Sequence, residues 1–311
     1  MKINIIVSGF NKPDFVLSQF RLLEQFLEED FDYYLYDNSI DSKIESEFKK
    51  VCKEVGAKYI KVPQKIHVHG QDVCTRCGGA CDWAIKHNME NHKTEYAILL
   101  DADMFPIKNF SVLSEMGDND LLGIAQGVAY GYDERLESVV YFTNQLFIMK
   151  FENLPNFAYV KKFLPVTEAT GKPKYCPRTD CGGWLHFYLE DNPSVKWDVL
   201  NTGTLHSNTV GPETVDQWTA LEEMNFDELL HNYYKEEIDI FSKYSSWEAG
   251  PAGPTAIYRS FTELVSEHRF LHFRAGSNWT NHPDEIVNER ESNFKNFVDK
   301  LIKEKENEKS N

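Results

Sequence analysis

Apolar runs alternate with helical stretches through the first hundred residues, and nothing else in the chain constrains its fold as much. Ile3-Asn4-Ile5-Ile6-Val7 ends at Ser8-Gly9, Tyr33-Tyr34-Leu35-Tyr36 ends at Asp37-Asn38-Ser39, and Ala57-Lys58-Tyr59-Ile60-Lys61-Val62 stops at Pro63. Between the first two, Pro13-Asp14 opens a helix that spaces Phe15, Leu17, Phe20, Leu23 and Leu27 by mixed threes and fours. Residues 41–55 place Ile44, Phe48, Val51 and Val55 on one side of a second helix. A third helix, over about 72–92, leads into Tyr96-Ala97-Ile98-Leu99-Leu100. Strand–helix alternation of this kind predicts βαβ units, a mostly parallel sheet and an α/β class.

The fourth run stops at Asp101-Ala102-Asp103. Side chains at i and i+2 leave a strand on the same face. Both carboxylates then reach the carboxyl edge of the sheet, where open α/β sheets bind their ligands. There the pair can converge on one hard cation, which can in turn hold phosphate. An isolated pair of this kind is often no more than two acids solvating a strand end. The upstream alternation makes it a candidate site, because Ser8-Gly9 and Asp37-Asn38 are predicted at the same edge.

Composition narrows the class. The chain has 311 residues and a formal charge of −16. That length buries a full core, as one large domain or as a domain with an elaborated second half. The charge argues against nucleic acid and anionic membrane surfaces as partners, since both call for clustered Lys and Arg. No apolar run approaches the ~20 residues of a membrane span. Met1-Lys2-Ile3 enters the first strand directly, which leaves no room for a signal peptide, and six Cys in such a chain read as reduced thiols in a cytoplasmic setting. Cys74, Cys77 and Cys81 share a helix face, while Cys176 and Cys181 flank an irregular stretch. Only Cys74 to Cys77 has a metal-knuckle spacing, so core packing is the expected role. From about Glu285 the chain reads as a terminal helix with Ile286, Phe294, Phe297, Val298 and Ile302 as its apolar stripe, fraying in Lys303-Glu304-Lys305-Glu306.

The ordered set of Ser8-Gly9-Phe10, Asp37-Asn38-Ser39-Ile40-Asp41, His69-Gly70 with Gly78-Gly79-Ala80, and Ala97 to Asp103 resembles the nucleotide-sugar-binding half of GT-A glycosyltransferases. It is closest to the family 2-like group, and the resemblance covers roughly residues 1–110. The second strand end departs from the commoner pattern, since Asn38-Ser39-Ile40-Asp41 lacks the usual second acid and glycine. The resemblance implies a GT-A type α/β fold and a metal-dependent transfer of a sugar from a nucleotide-diphosphate sugar to a hydroxyl of a glycan or other acceptor, with inversion. It implies a donor half over 1–110, an acceptor-binding and catalytic half over 111–284, and a C-terminal helix and tail over 285–311. Ser8, Phe10, Asp37, Asn38, Asp101 and Ala102 would then line the donor site, with Asp37 at the base and Asp101 by ribose or metal.

The chemistry asks for a cation because a nucleoside diphosphate leaves with growing negative charge, which Mn²⁺ or Mg²⁺ neutralises. Asp101 and Asp103 are the expected metal ligands, with His272 in Phe270-Leu271-His272-Phe273-Arg274 as a distant third. A His between apolar neighbours is otherwise an ordinary core residue, and His282 is the competing ligand. Arg76 and Arg274 are candidates to reach the phosphates, against the plainer reading of solvated or ion-paired arginines. Asp180, ahead of Cys181-Gly182-Gly183, is the candidate general base for the acceptor hydroxyl. Its plain alternative is a helix N-cap, and Glu190 and Asp191 are competing bases. Trp184, Trp197, Trp218 and Trp247 offer faces for sugar stacking.

Two other classes compete. A nucleotidyltransferase would show a Gly-rich, basic loop after the first strand, whereas Ser8-Gly9-Phe10-Asn11-Lys12-Pro13 has one Gly and no Arg. A non-catalytic nucleotide-sugar-binding module would keep the fold and lack the base.

Overall fold

The computed structural model of the chain describes residues 1–66, 73–92, 94–132, 135–157, 166–167, 173–174, 185–200, 262–265, 269–273 and 284–310. The described elements begin with β1 (Lys2–Gly9), α1 (Pro13–Phe26), β2 (Asp30–Asp37), α2 (Ser42–Val55), β3 (Lys58–Lys61), α3 (Val73–Asn91) and β4 (Tyr96–Asp101). They continue with β5 (Met104–Pro106), α4 (Val112–Met116), β6 (Leu121–Tyr132), β7 (Arg135–Lys150), β8 (Val166–Thr167) and β9 (Pro173–Lys174). The last are α5 (Leu185–Asp191), β10 (Trp197–Val199), β11 (Thr262–Val265), β12 (Phe270–Phe273) and α6 (Asp284–Ser310). None of these helices is long and apolar enough to cross a membrane. The chain forms two compact units.

The first unit comprises Met1–Pro13, Glu29–Ala102 and Ser111–Leu200. Its seven-stranded sheet runs β10-β6-β7-β4-β1-β2-β3. Every pairing is parallel except those of β7, which lies antiparallel to both β4 and β6. The mostly parallel α/β sheet predicted from the alternation is therefore present. Ile3, Ile5, Ile6 and Val7 are all at 0% exposure, so odd and even positions of β1 are buried alike. That is why this strand reads as an unbroken apolar run rather than an alternating one. On one face Ala80, Cys81, Ala84 and Ile85 of α3 join Ile6, Tyr34, Tyr36 and Phe147 in one cluster. The small residues let α3 lie close to the strands.

The ends of α2 follow simple rules. The Asp41 side chain accepts the Lys43 N–H as an N-cap. Gly56, at φ 74°, closes the helix in the left-handed region and returns its N–H to the Cys52 carbonyl. At the head of the sheet, Gly9 brings β1 against its neighbours. A Cβ there would sit 2.7 Å from Leu35 Cδ1 and 3.1 Å from Phe48 Cζ, both in fully buried side chains.

The second unit comprises Asp14–Glu28, Asp103–Phe110 and Asn201–Asn311. Its described strands form an antiparallel sheet in the order β11-β12-β5. Phe15, Leu22 and Phe26 of α1 pack with Phe105, Ile107, Leu271, and with Phe294, Phe297, Val298 and Leu301 of α6. Of the apolar stripe expected in the terminal helix, Phe294, Phe297 and Val298 dock and Ile302 packs beside them, while the Ile286 side chain lies outside the described residues. The fraying expected from Lys303 does not occur, and α6 continues to Ser310. Lys305 lies over the Phe26 ring at 5.5 Å and pairs with Glu308 at 2.9 Å. Lys309 donates to Gln25 Oε1 at 2.9 Å. These contacts hold the last turns that composition alone marked as loose.

Candidate active site

Strand register sets the site in the first unit. Gly9 pairs with Asp37, and Ser8 pairs with both Tyr36 and Asp101. Ser8, Asp37 and Asp101 thus end three neighbouring parallel strands at one edge. The Asn38 N–H donates to the Gly9 carbonyl at 2.8 Å and ties the first two ends together.

Asp37 is at 0% exposure, and its own chain surrounds it. Its Oδ1 accepts the Ser39 N–H at 2.8 Å and the Ser39 hydroxyl at 2.5 Å. Its Oδ2 accepts the Tyr59 hydroxyl at 2.7 Å and Lys61 Nζ at 2.9 Å. Lys61 also donates to the Ser39 carbonyl at 2.6 Å, which closes a ring around the turn. Tyr59 and Lys61 stand two apart on β3, so the pleat presents both to the same neighbour. Burial and then the Asp37 bond hold the Tyr59 phenol well above its usual range, which keeps the hydroxyl a donor. Burial, and after it the Asp37 charge, pushes the Cys52 thiol up to about 12. The base contact expected of Asp37 would have to displace Tyr59 or Lys61.

Removing this acid should cost stability. Asp37→Ala strands the two buried Ser39 donors, the part-buried Tyr59 hydroxyl and a half-buried ammonium, and a buried pair broken on one side costs more than an exposed one. The expected loss is about 3 kcal/mol, set by charge-assisted hydrogen bonds of roughly 1.5–3 kcal/mol each with partial relaxation of Lys61 to water. A urea unfolding midpoint unchanged from wild type would show that the ring is decorative.

Asp101 is half-buried at the end of β4. Its Oδ1 accepts the Ala102 N–H at 2.9 Å, and its Oδ2 accepts Nδ2 of Asn144 at 2.8 Å. Asn144 Nδ2 also lies 3.7 Å from Cys77 Sγ. A hydrogen bond with Cys77, then burial, raises the Cys81 thiol well above its usual range. Cys52 and Cys81 are buried and Cys77 is half-buried, and none of the three forms a disulfide.

In the second unit, Asp103 immediately precedes β5, and β12 pairs with β5 so that His272 stands opposite Met104. Asp103 and His272 are each at 5% exposure, and Asp103 Oδ1 lies 3.4 Å from His272 Nε2. Phe105 and Leu271, which pair with each other at the next register position, are buried. Gln19 Nε2 donates to the Met104 carbonyl at 2.6 Å and fixes the start of β5. A buried carboxylate facing an imidazole across two paired strands is a donor set suited to a divalent cation.

The other expected residues fall as follows. Phe10 is half-buried after β1, while Asn38 and Ala102 are buried at 7% and 5% exposure. Arg76 lies within α3, but its side chain is outside the described residues, as is that of Cys74. Asp180, Arg274, His282, Cys176, Cys181, Trp184, Trp218 and Trp247 also lie outside them. Glu190 and Asp191 are exposed at the end of α5. The chain leaves them for Lys196, whose N–H donates to Asp120 at the start of β6. They therefore lead to the amino edge of the sheet, away from Asp101. Asn144, Tyr59 and Lys61 were not among the expected site residues.

No family model matches the chain, and no curated protein matches it. Among solved structures it is similar to the glycosyltransferase GlyE of Streptococcus pneumoniae TIGR4, at 13% identity over 75% of this chain and 53% of that chain, with a TM-score of 0.41. It is similar to S. aureus TarS at 14% identity over 79% and 44%, with a TM-score of 0.38. It is also similar to the mannosyltransferase PcManGT from Pyrobaculum calidifontis, in complex with GDP-Man and Mn2+, at 12% identity over 49% and 45%, with a TM-score of 0.34. The chain spans about half the length of these proteins.

Proposed function

We propose that this chain is a GT-A type glycosyltransferase that moves a sugar from a nucleotide-diphosphate sugar to an acceptor hydroxyl with inversion, dependent on Mn²⁺ or Mg²⁺. The observation that carries the reading is the buried Asp103–His272 pair, formed directly after a strand that ends in Asp101. Asp101, two residues upstream, is the further carboxylate ligand in this reading. An imidazole in the set favours Mn²⁺ over Mg²⁺, which prefers oxygen alone. When bound, such a cation supplies Lewis-acid neutralisation of the departing diphosphate.

The remaining work falls to the chain's own residues. Ser8, Phe10, Asn38 and Ala102 surround the donor's nucleoside, with Asp37 ordering the turn that carries Asn38 and Ser39. Arg76 and Arg274 meet phosphate oxygens. Asp180 takes the proton of the acceptor hydroxyl as its oxygen bonds to the anomeric carbon, and the bond from that carbon to the diphosphate breaks with its electron pair leaving on the phosphate oxygen. The test is release of nucleoside diphosphate from a panel of nucleotide-diphosphate sugars, with Mn²⁺ and after chelation.

A further inference from the structure

We infer that Asn144 is a positioning residue for Asp101, and that its carboxamide sets how well the strand-end acid serves a divalent cation; this rests on the metal-dependent reading of the site. Asn144 comes from β7, which follows β6 and lies outside the strand–helix alternation of the first hundred residues. Leu146 of β7 pairs with Leu100 of β4, so Asn144 lies two residues beyond, beside the end of β4 where Asp101 stands. It is at 9% exposure beside buried Gln145, in a stretch that also holds the buried Phe142, Leu146, Phe147 and Ile148. A carboxamide buried there must find partners.

Its partners define its orientation. Nδ2 has two N–H groups, and it reaches Asp101 Oδ2 at 2.8 Å and Cys77 Sγ at 3.7 Å. A carboxylate only accepts, so the amide nitrogen and not its oxygen must face Asp101. Together with the Ala102 N–H on the other oxygen, Asn144 restricts the carboxylate to one rotamer before any ligand arrives. Partners of this kind hold a ligating side chain in place, and their loss typically weakens metal affinity by roughly 10–100-fold.

The experiment measures binding of Mn²⁺ alone to the full chain by electron paramagnetic resonance, alongside thermal unfolding, for wild type and Asn144→Leu. Leu fills the same space without a donor. The expected result is Mn²⁺ binding about tenfold weaker, at the lower bound of that range, in a protein that melts close to wild type. A purely structural Asn144 behaves differently: the melting temperature falls while the folded protein binds Mn²⁺ as wild type does, and that result overturns the inference. If Asn144→Leu does not fold, Asn144→Ala decides by the same criterion. Wild type that binds no Mn²⁺ removes the metal reading and this inference together, whereas equal binding by wild type and variant removes only the role of Asn144.

Discussion

Asp103→Asn should leave the protein folded and unable to bind a nucleotide-sugar donor in a metal-dependent way. Asn has the size and shape of Asp, so the site beside β5 stays filled, and the Phe105 and Leu271 packing around it is untouched. The charge is lost. An amide oxygen opposite His272 is a far poorer partner for a hard divalent cation than a carboxylate. Losing a direct ligand should exceed the roughly 10–100-fold that removing an outer partner costs. Unfolding followed with and without donor reads this directly. At about 100 times its dissociation constant a donor adds about 2.7 kcal/mol of apparent stability. Wild type should show that gain with Mn²⁺ and lose it with EDTA, while Asp103→Asn should show none in either condition. A variant that keeps an EDTA-sensitive gain would mean that Asp103 is not a ligand.

Asp180→Asn should spare donor binding and depress turnover by ~10²–10⁴, the usual worth of general-base assistance. The two glycines that follow, Gly182 and Gly183, leave room for an acceptor to approach the backbone. The competing role is an N-cap, and the two roles separate cleanly because Asn caps a helix nearly as well as Asp. A cap substituted by Asn changes neither stability nor kcat. A base substituted by Asn loses rate with the Michaelis constant for the donor almost unmoved. Wild-type turnover in the variant, or a product with retained anomeric configuration, would remove Asp180 from the chemistry. Glu190 and Asp191 are poor substitutes in either case, since α5 delivers them toward the amino edge of the sheet.

β1, β2 and β4 were legible because strands buried on both faces leave continuous apolar runs, and their polar ends mark the carboxyl edge without any knowledge of pairing. His272 was legible for a related reason. A polar residue inside the short run Phe270 to Phe273 signals a strand with one position to spare for chemistry. The ring around Asp37 was less so. The strand over 57–62 was evident, but Tyr59 and Lys61 converge on Asp37 only once β3 is known to lie next to β2 in register. Spacing by two was the available signal. Asn144 was missed because its role depends on antiparallel pairing across the sheet, which no local pattern encodes, although adjacent Asn144 and Gln145 between Phe142 and Leu146 hint at a polar demand inside a core strand. The persistence of α6 past Lys303 was hidden for the same kind of reason, since Phe26 and Gln25 that hold it belong to the other end of the sequence.

The central claim is metal-dependent chemistry on a nucleotide-diphosphate sugar, and the most direct measurement is nucleoside diphosphate release. The full chain is incubated with a panel of nucleotide-diphosphate sugars and Mn²⁺, with EDTA, and with Mn²⁺ restored in excess. Slow hydrolysis by water is enough to report, so the acceptor need not be known. The account predicts release from at least one donor, abolished by EDTA and recovered with Mn²⁺. Release that ignores EDTA, or no release from any donor in the panel, would contradict it.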